Sequence, residues 1–381
     1  MATITSRSTT PATIRGTQGA EAPKTSKVAV LFTHPKRVLE DYARLLELAD
    51  YPAHMPKEAD TLLKINISWQ RWFPACSTEP WQLDGVIRAL RDMGYDNLIP
   101  AQNGTVVVDS REGEENNKHG AVLNSHNLQS VHLNDPEVPW VRFEPKGEML
   151  VLNDIFPEGI FIPEMFMGKN IVHMPTLKTH VFTTMTGAMK NAFGGLLSFK
   201  RHWTHSVIHE TLVDLLTIQK EIHPGLFAVM DGTFAGDGPG PRAMRATVKN
   251  VILASADQVA IDAVAAKLMG FDPMSIKFIR LAHEKGLGCG DPNQIEIVGD
   301  DISDIKWKFA KNEETFVSRG QKLIYWGPLK PLEHLLLRSP IVPWSYWASN
   351  TYFNGFWYRF IGSRRVQQAL NTEWGELFRR Y

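Results

Sequence analysis

From residue 28 onward, short apolar runs alternate with amphipathic stretches and polar turns, a pattern that predicts strands interleaved with helices. Val28–Phe32 (VAVLF) is a β-branched run of strand length, and Leu62–Ile67 is a second. Between Trp81 and Met93 the period changes, with Leu83, Val86, Ile87, Leu90 and Met93 on one face of a helix. Gly94 then stands where a helix closes, and Asn97–Pro100 reads as the returning strand. Residues 109–119 (DSREGEENNKH) predict a solvated loop, and Leu150–Leu152 and Asn170–His173 are short apolar runs. Leu226–Met230 reads as a buried strand ending at Asp231-Gly232. Asn250–Ala254 is another, followed by a helix over Gln258–Met269 that Gly270 closes.

The strands are continuously apolar rather than alternating, which predicts a sheet covered on both faces. The expected class is α/β: a mostly parallel sheet with helices on both faces, as one large domain or two closely packed lobes. The expected boundaries are a disordered tail over 1–27, an α/β domain over 28–305 and an aromatic-rich C-terminal extension over 306–381. No fixed-period repeat occurs.

Composition narrows the function classes. Lys+Arg and Asp+Glu balance at 41 each in 381 residues, so no net field draws in nucleic acid. Two cysteines, Cys76 and Cys289, are too few for an iron–sulfur cluster or a four-cysteine zinc site. No run of 18 apolar residues predicts a spanning helix, and a cytoplasmic location is expected. The first 27 residues are rich in Ser, Thr and Ala, with no acid before Glu21, a composition shared by transit peptides and by ordinary floppy tails.

In parallel α/β sheets, ligands bind beyond the carboxyl ends of strands, and three segments fit that address. Pro175–His180 and Thr183–Asn191 bring Lys178, His180, Thr186, Lys190 and Asn191 into one predicted loop, a combination suited to cradling an anion. Asp231, at the predicted strand end, and Asp237, in the Gly- and Pro-rich run after it, are candidates for proton handling or ligand binding; a plain Asp-Gly turn is the competing account. His205 and His209 would share a face if a helix begins near Thr204, which suits an imidazole-bound divalent metal; ordinary surface or core histidines are the alternative. Asp257 reads as an N-cap, whereas Asp262, within an apolar first turn, is expected to face the site.

The C-terminal region adds a different feature. No charge occurs from Ser339 to Tyr358, and nine aromatic residues fall between Trp344 and Phe360, with Arg359, Arg364 and Arg365 close behind. Such a segment packs on its own domain, meets a membrane surface or forms a homodimer contact.

Several blocks together resemble domain-of-unknown-function family 362. They are Met174–His180, Thr186–Gly194, Met230-Asp231-Gly232, Gly236-Asp237-Gly238-Pro239 and Asp257–Ala263. The resemblance covers roughly residues 60 to 300. It implies no settled activity, and since this chain lacks the cysteines of the ferredoxin-like cluster domain that some members carry, electron transfer through such a cluster is not expected. A looser similarity, of Thr186-Gly187 to Lys190 with the later His205, is to the nickel-pincer lactate racemase group, in which a lysine holds the cofactor and histidines bind metal.

The expected function is an enzyme acting on a small or lipid-tailed anionic substrate by proton transfer or isomerisation, with a divalent metal as the cofactor class the histidines suggest. His180, Lys190 and Asp231 are the expected catalytic groups; Lys178, Thr186, Asn191, Asp237 and Asp262 are the expected substrate-binding ones; His205 and His209 are the expected metal ligands. The rival is a non-catalytic ligand-binding or assembly factor that touches a membrane or partner through residues 339–381.

Overall fold

The computed structural model describes residues 26–104, 108–311, 313–337 and 351–381. The expected tail therefore lies outside the described residues except for Ser26 and Lys27, which open the first strand, and residues 338–350 of the aromatic segment lie outside them too.

Twelve strands are described: β1 (Ser26–Phe32), β2 (Thr61–Ile65), β3 (Leu98–Gln102), β4 (Val131–His132), β5 (Trp140–Phe143), β6 (Ile160–Pro163), β7 (Asn170–Met174), β8 (Thr176–His180), β9 (Thr184–Met185), β10 (Leu226–Asp237), β11 (Arg245–Ser255) and β12 (Ile295–Gly299). Ten of them form one sheet in the order β12-β1-β11-β10-β7-β2-β3-β4, with β8 added alongside β10 and β9 alongside β8. The β4–β3–β2–β7–β10 half is wholly parallel, whereas β11 runs antiparallel to both β10 and β1. The architecture is α/β with a mostly parallel sheet.

Because side chains alternate along a strand, each central strand feeds two cores. Leu62 of β2 and Ala228 and Met230 of β10 join a core under the helices Ala188–Leu196, Ile208–Ile222, Gln258–Met269 and Lys277–Glu284. Leu63 and Ile65 of β2, with Phe227 and Val229 of β10, point the other way, toward Val38–Leu48 and Pro80–Asp92.

The C-terminal helices Ser363–Leu370 and Glu373–Arg380 complete that second face rather than hanging free of it. Trp374 lies 5.0 Å from Trp81 and donates to Asn250 Oδ1 at 2.7 Å, while Phe378 stacks on Trp72 at 4.0 Å. Burying such rings contributes about 2–3 kcal/mol each, which holds the chain end in place.

Three local expectations need correction. Residues 109–119 are not an open loop: they form the helix Ser110–Asn116 and the start of His119–Ser125, because the Asp109 carboxylate caps Arg111 N and Glu112 N and buries His119 and Asn117 behind the charges. The segment after Pro175 is a strand, β8. And β10 does not stop at Asp231-Gly232 but continues to Asp237, shifting register between Gly232 and Phe234. The last two belong together: β10 pairs first with β7 and then with β8, through Asp231↔Thr176 and Gly236↔Lys178, so its far half has a partner to bond with.

Candidate functional site

A cleft of about 50 Å³ opens at the carboxyl ends of β2 and β7. Asn66 and Ser68 line it from the turn after β2, Lys178 and His180 from β8, and Thr186, Gly187, Lys190 and Asn191 from the start of the helix Ala188–Leu196, with Pro175 and Pro241 completing the rim. A water needs roughly 10–15 Å³ of such space, so the cleft takes roughly four small groups, the size of a carboxylate or phosphate head.

Period-two geometry explains β8. Thr176, Lys178 and His180 fall on one face of the strand, and Lys178 Nζ donates to Thr176 Oγ1 at 2.6 Å and to Cys76 O at 2.9 Å. Burial holds Lys178 down at about 8, opposed by Cys76 and Glu79. His180 Nδ1 accepts the Phe182 N–H at 3.2 Å, which leaves Nε2 as the proton-bearing nitrogen of the neutral ring. Burial, then Lys190 and His205, keep His180 far below the usual imidazole value.

Lys190 comes from the opposite face of the sheet. Its Nζ lies 5.4 Å from the Phe193 ring centre and makes no hydrogen bond or ion pair among the described residues. Burial first, then repulsion from Lys178 and Arg201, lowers it to about 7. Asn191 faces the cleft with its amide nitrogen engaged by Lys64 O (2.9 Å) and His173 Nδ1 (3.3 Å), while Thr186 Oγ1 donates to Thr176 O at 3.3 Å.

The helix that carries Lys190 is docked by Asp262. Its carboxylate accepts Ala188 N at 2.6 Å and Met189 N at 3.1 Å, capping one helix from within another. A Cβ on Gly187 would lie 2.2 Å from Asp262 Oδ1, so only glycine fits there. Burial raises Asp262 to about 8, against the pull of the two amides. Asp262 thus faces the first turn of the site helix and positions it; it is not among the cleft-lining residues.

The other candidates separate from the cleft. Asp231 is fully buried in the core that holds Tyr42 and Trp81 and is not among the cleft-lining residues, accepting from Tyr42 Oη (2.7 Å), Trp81 Nε1 (3.1 Å) and Thr233. Side-chain alternation puts it there: Met230 joins one core, so Asp231 must face the other. Asp237 accepts from Arg245 Nη2 (3.0 Å) and Ala310 N (2.6 Å), tying the end of β10 to a later loop. His205 and His209 do not share one α-helical face, because the chain runs as a tighter 3-10 segment over Phe199–Val207 and turns α-helical only at Ile208. His205 stacks on Tyr325 and meets Phe182 and Phe193 edge-on, whereas His209 stacks on Phe278. Among the described residues no three His, Cys, Asp or Glu side chains converge as a metal-ligand set.

Two cations that sequence reasoning missed complete the electrostatics. Lys64 is 3% exposed, donates to its neighbour's carbonyl at Ile65 O (2.6 Å) and is lowered to about 7 by burial and by Arg201. Arg201, also buried, donates to Gly104 O and Leu197 O, and burial brings it down to about 10. A lysine between Leu63 and Ile65, inside a run read as a buried strand, was the available signal. Glu79, coupled to Lys178, is pushed up to about 8 by burial and by Asp231. None of the cleft-lining residues is acidic.

Comparison with known proteins agrees with this geometry only at the level of family. The chain is 28% identical over 158 residues to a thylakoid-associated protein of Synechocystis sp., covering 40% of this chain and 48% of that one, so it spans about half the length of that curated relative. A crystal structure of a Thermotoga maritima protein overlaps 66% of this chain and 59% of its own at 13% identity, with a TM-score of 0.38. The profile of the family described as "Domain of unknown function (DUF362)" matches residues 61–267, a span that takes in every residue lining the cleft, and the protein belongs to that family.

Proposed function

We propose that the protein acts on a small anionic molecule, or on the anionic head of a lipid-tailed one, held in the cleft between β8 and the helix Ala188–Leu196. The observation that carries this is the imbalance of charge: Lys178 and Lys190 line the cleft, Lys64 and Arg201 stand buried behind it, and no acidic side chain lines it. Cations gathered around a cleft that no carboxylate lines are costly, and a bound anion offsets that cost. Lys178 would hold the anion, with the hydroxyls of Thr186 and Ser68 turning to it from Thr176 O and Asn66 Oδ1. Lys190, near the point where it gains and loses a proton at neutral pH, would move protons during an isomerisation or related transfer, with the Nε2–H of His180 donating a hydrogen bond to the reacting oxygen. Asp231, caged by Tyr42 and Trp81, has a structural part in this scheme.

Calorimetric titration with sulfate and with pyruvate tests the idea. Binding to the wild-type chain that is weakened at least about tenfold in Lys190→Met, with the melting temperature kept, supports it. Equal affinity in the two proteins refutes it.

A second reading concerns location. The π-type helical segment Thr351–Gly362 leaves Phe356 and Phe360 57% and 56% exposed beside exposed Arg359 and Arg364. Large exposed rings flanked by arginines suit the interface of an anionic bilayer, in keeping with the name of the cyanobacterial relative. No helix among the described residues is long and apolar enough to cross a membrane, so the contact would be peripheral.

A further inference from the structure

We infer that Lys190 is a covalent group: its amine condenses with the carbonyl of a small oxo acid, such as a 2-oxo acid, whose carboxylate is held by Lys178. Resting on the anion-binding role of the cleft, it adds the chemical class of the substrate and the bond that forms.

Three features of the cleft meet at this point. First, Lys190 Nζ lies in a polar cleft with no acceptor among the described residues, over the Phe193 ring instead. An ammonium kept as a permanent counter-charge is ordinarily tied to carbonyls or carboxylates, as Lys178 is to Cys76 O and Thr176 Oγ1. Second, a cationic neighbour disfavours the protonated form: Lys178 in the same cleft, and Arg201 behind it, both act on Lys190 and bring it to about 7. That is the arrangement that activates an amine for carbonyl chemistry, and arginine, which stays charged, could not take its place. Third, the space accommodates a carboxylate plus an adjacent carbonyl and little more.

The step balances without any redox partner. The Nζ lone pair adds to the carbonyl carbon, and the carbonyl oxygen takes up a proton to give a carbinolamine. Nitrogen then forms the C=N bond as the hydroxyl leaves with a second proton as water. Amine plus carbonyl becomes imine plus water. Lys178, with two of its three N–H groups engaged by Cys76 O and Thr176 Oγ1, keeps one proton for the carboxylate or the departing oxygen. Once protonated, the imine draws electrons from the neighbouring carbon, which makes proton exchange or isomerisation there accessible.

The test is reductive trapping. The full chain is incubated with pyruvate and sodium cyanoborohydride at pH 7 and mapped by peptide mass spectrometry. At that pH the free-amine fraction of a lysine at about 7 exceeds that of an ordinary lysine at 10.5 by on the order of a thousandfold. The expected result is one reduced pyruvyl adduct on the peptide carrying Lys190, suppressed by excess sulfate and missing from Lys190→Arg. If Lys190→Arg fails to fold, the wild-type peptide map decides alone. Adducts spread over exposed lysines, or none at Lys190, overturn the covalent role. In that event, calorimetric binding of sulfate that persists leaves the anion cleft standing, and its absence removes both.

Discussion

Lys64 is the sharpest test of the electrostatic picture, because a cation with no acidic partner under a helix should weaken the fold. Among the described residues its Nζ hydrogen-bonds only to the Ile65 carbonyl, and its ammonium is brought from the ordinary 10.5 to about 7 by burial and by Arg201. At about 1.36 kcal/mol per pH unit, that span corresponds to about 5 kcal/mol against the folded state when the lysine is charged in both states. Lys64→Met keeps the unbranched stem and removes the charge. Loss of the hydrogen bond and local relaxation return part of the gain, so the variant should be about 2–4 kcal/mol more stable than wild type at pH 6.

The pH dependence has a definite sign. Below about 7 wild type carries the whole penalty, because both folded and unfolded lysine are protonated. From 7 to 10.5 the folded lysine is neutral while the unfolded one still binds a proton, so wild-type stability climbs with pH. Urea unfolding at pH 6 and pH 10 should therefore show the gap between the two proteins falling by about 4 kcal/mol, which removes the advantage of the variant at the higher pH. A gap that is the same at both values, or a variant less stable than wild type at pH 6, would refute the reasoning. The same variant should bind sulfate more weakly, the familiar exchange of function for stability.

Sulfate keeps its charge between pH 6 and 9, so its affinity for wild type should fall at least about tenfold over that range as Lys190 and Lys178 lose protons near 7 and 8; calorimetry showing flat affinity would place the anion elsewhere. Gly187→Ala forces a methyl group to within 2.2 Å of the Asp262 carboxylate and should cost about 1–3 kcal/mol in urea unfolding, together with sulfate binding. Asp262→Ala removes the cap on Ala188 and Met189 and should cost about 1–2 kcal/mol, read as a lower urea midpoint with faster amide exchange in the helix that follows. Phe356→Asp with Phe360→Asp should abolish flotation with anionic liposomes while leaving sulfate affinity unchanged; flotation that survives would exclude that surface as the contact.

Much of the fold could be read from residue patterns. The helix predicted over Gln258–Met269 has those bounds, Asp257 caps it as expected and Gly270 ends it at φ 89°. Continuous apolar runs at Leu62 and Leu226 pointed to strands buried on both sides, and both are. What escaped was long-range. Thr176-Leu177-Lys178-Thr179-His180 is polar at four of five positions and so suggests a loop until a partner is known, and that partner is the unforeseen second half of β10. The same extension moved Asp231 from a strand end to a strand interior, where parity decides which face it meets. Lys178, His180, Thr186, Lys190 and Asn191 do share one cleft, as loop position suggested, whereas Lys64 and Arg201 come from segments whose nearness only the folded chain discloses.

The double pairing of β10 makes the two walls of the cleft unequal. One wall, β8, is stitched into the main sheet and cannot shift without breaking strand pairing. The other is a nine-residue helix held at its tip by a single carboxylate from Asp262. The cleft thus has one wall set by strand pairing and one set by helix packing, and the placement of Lys190 follows the second.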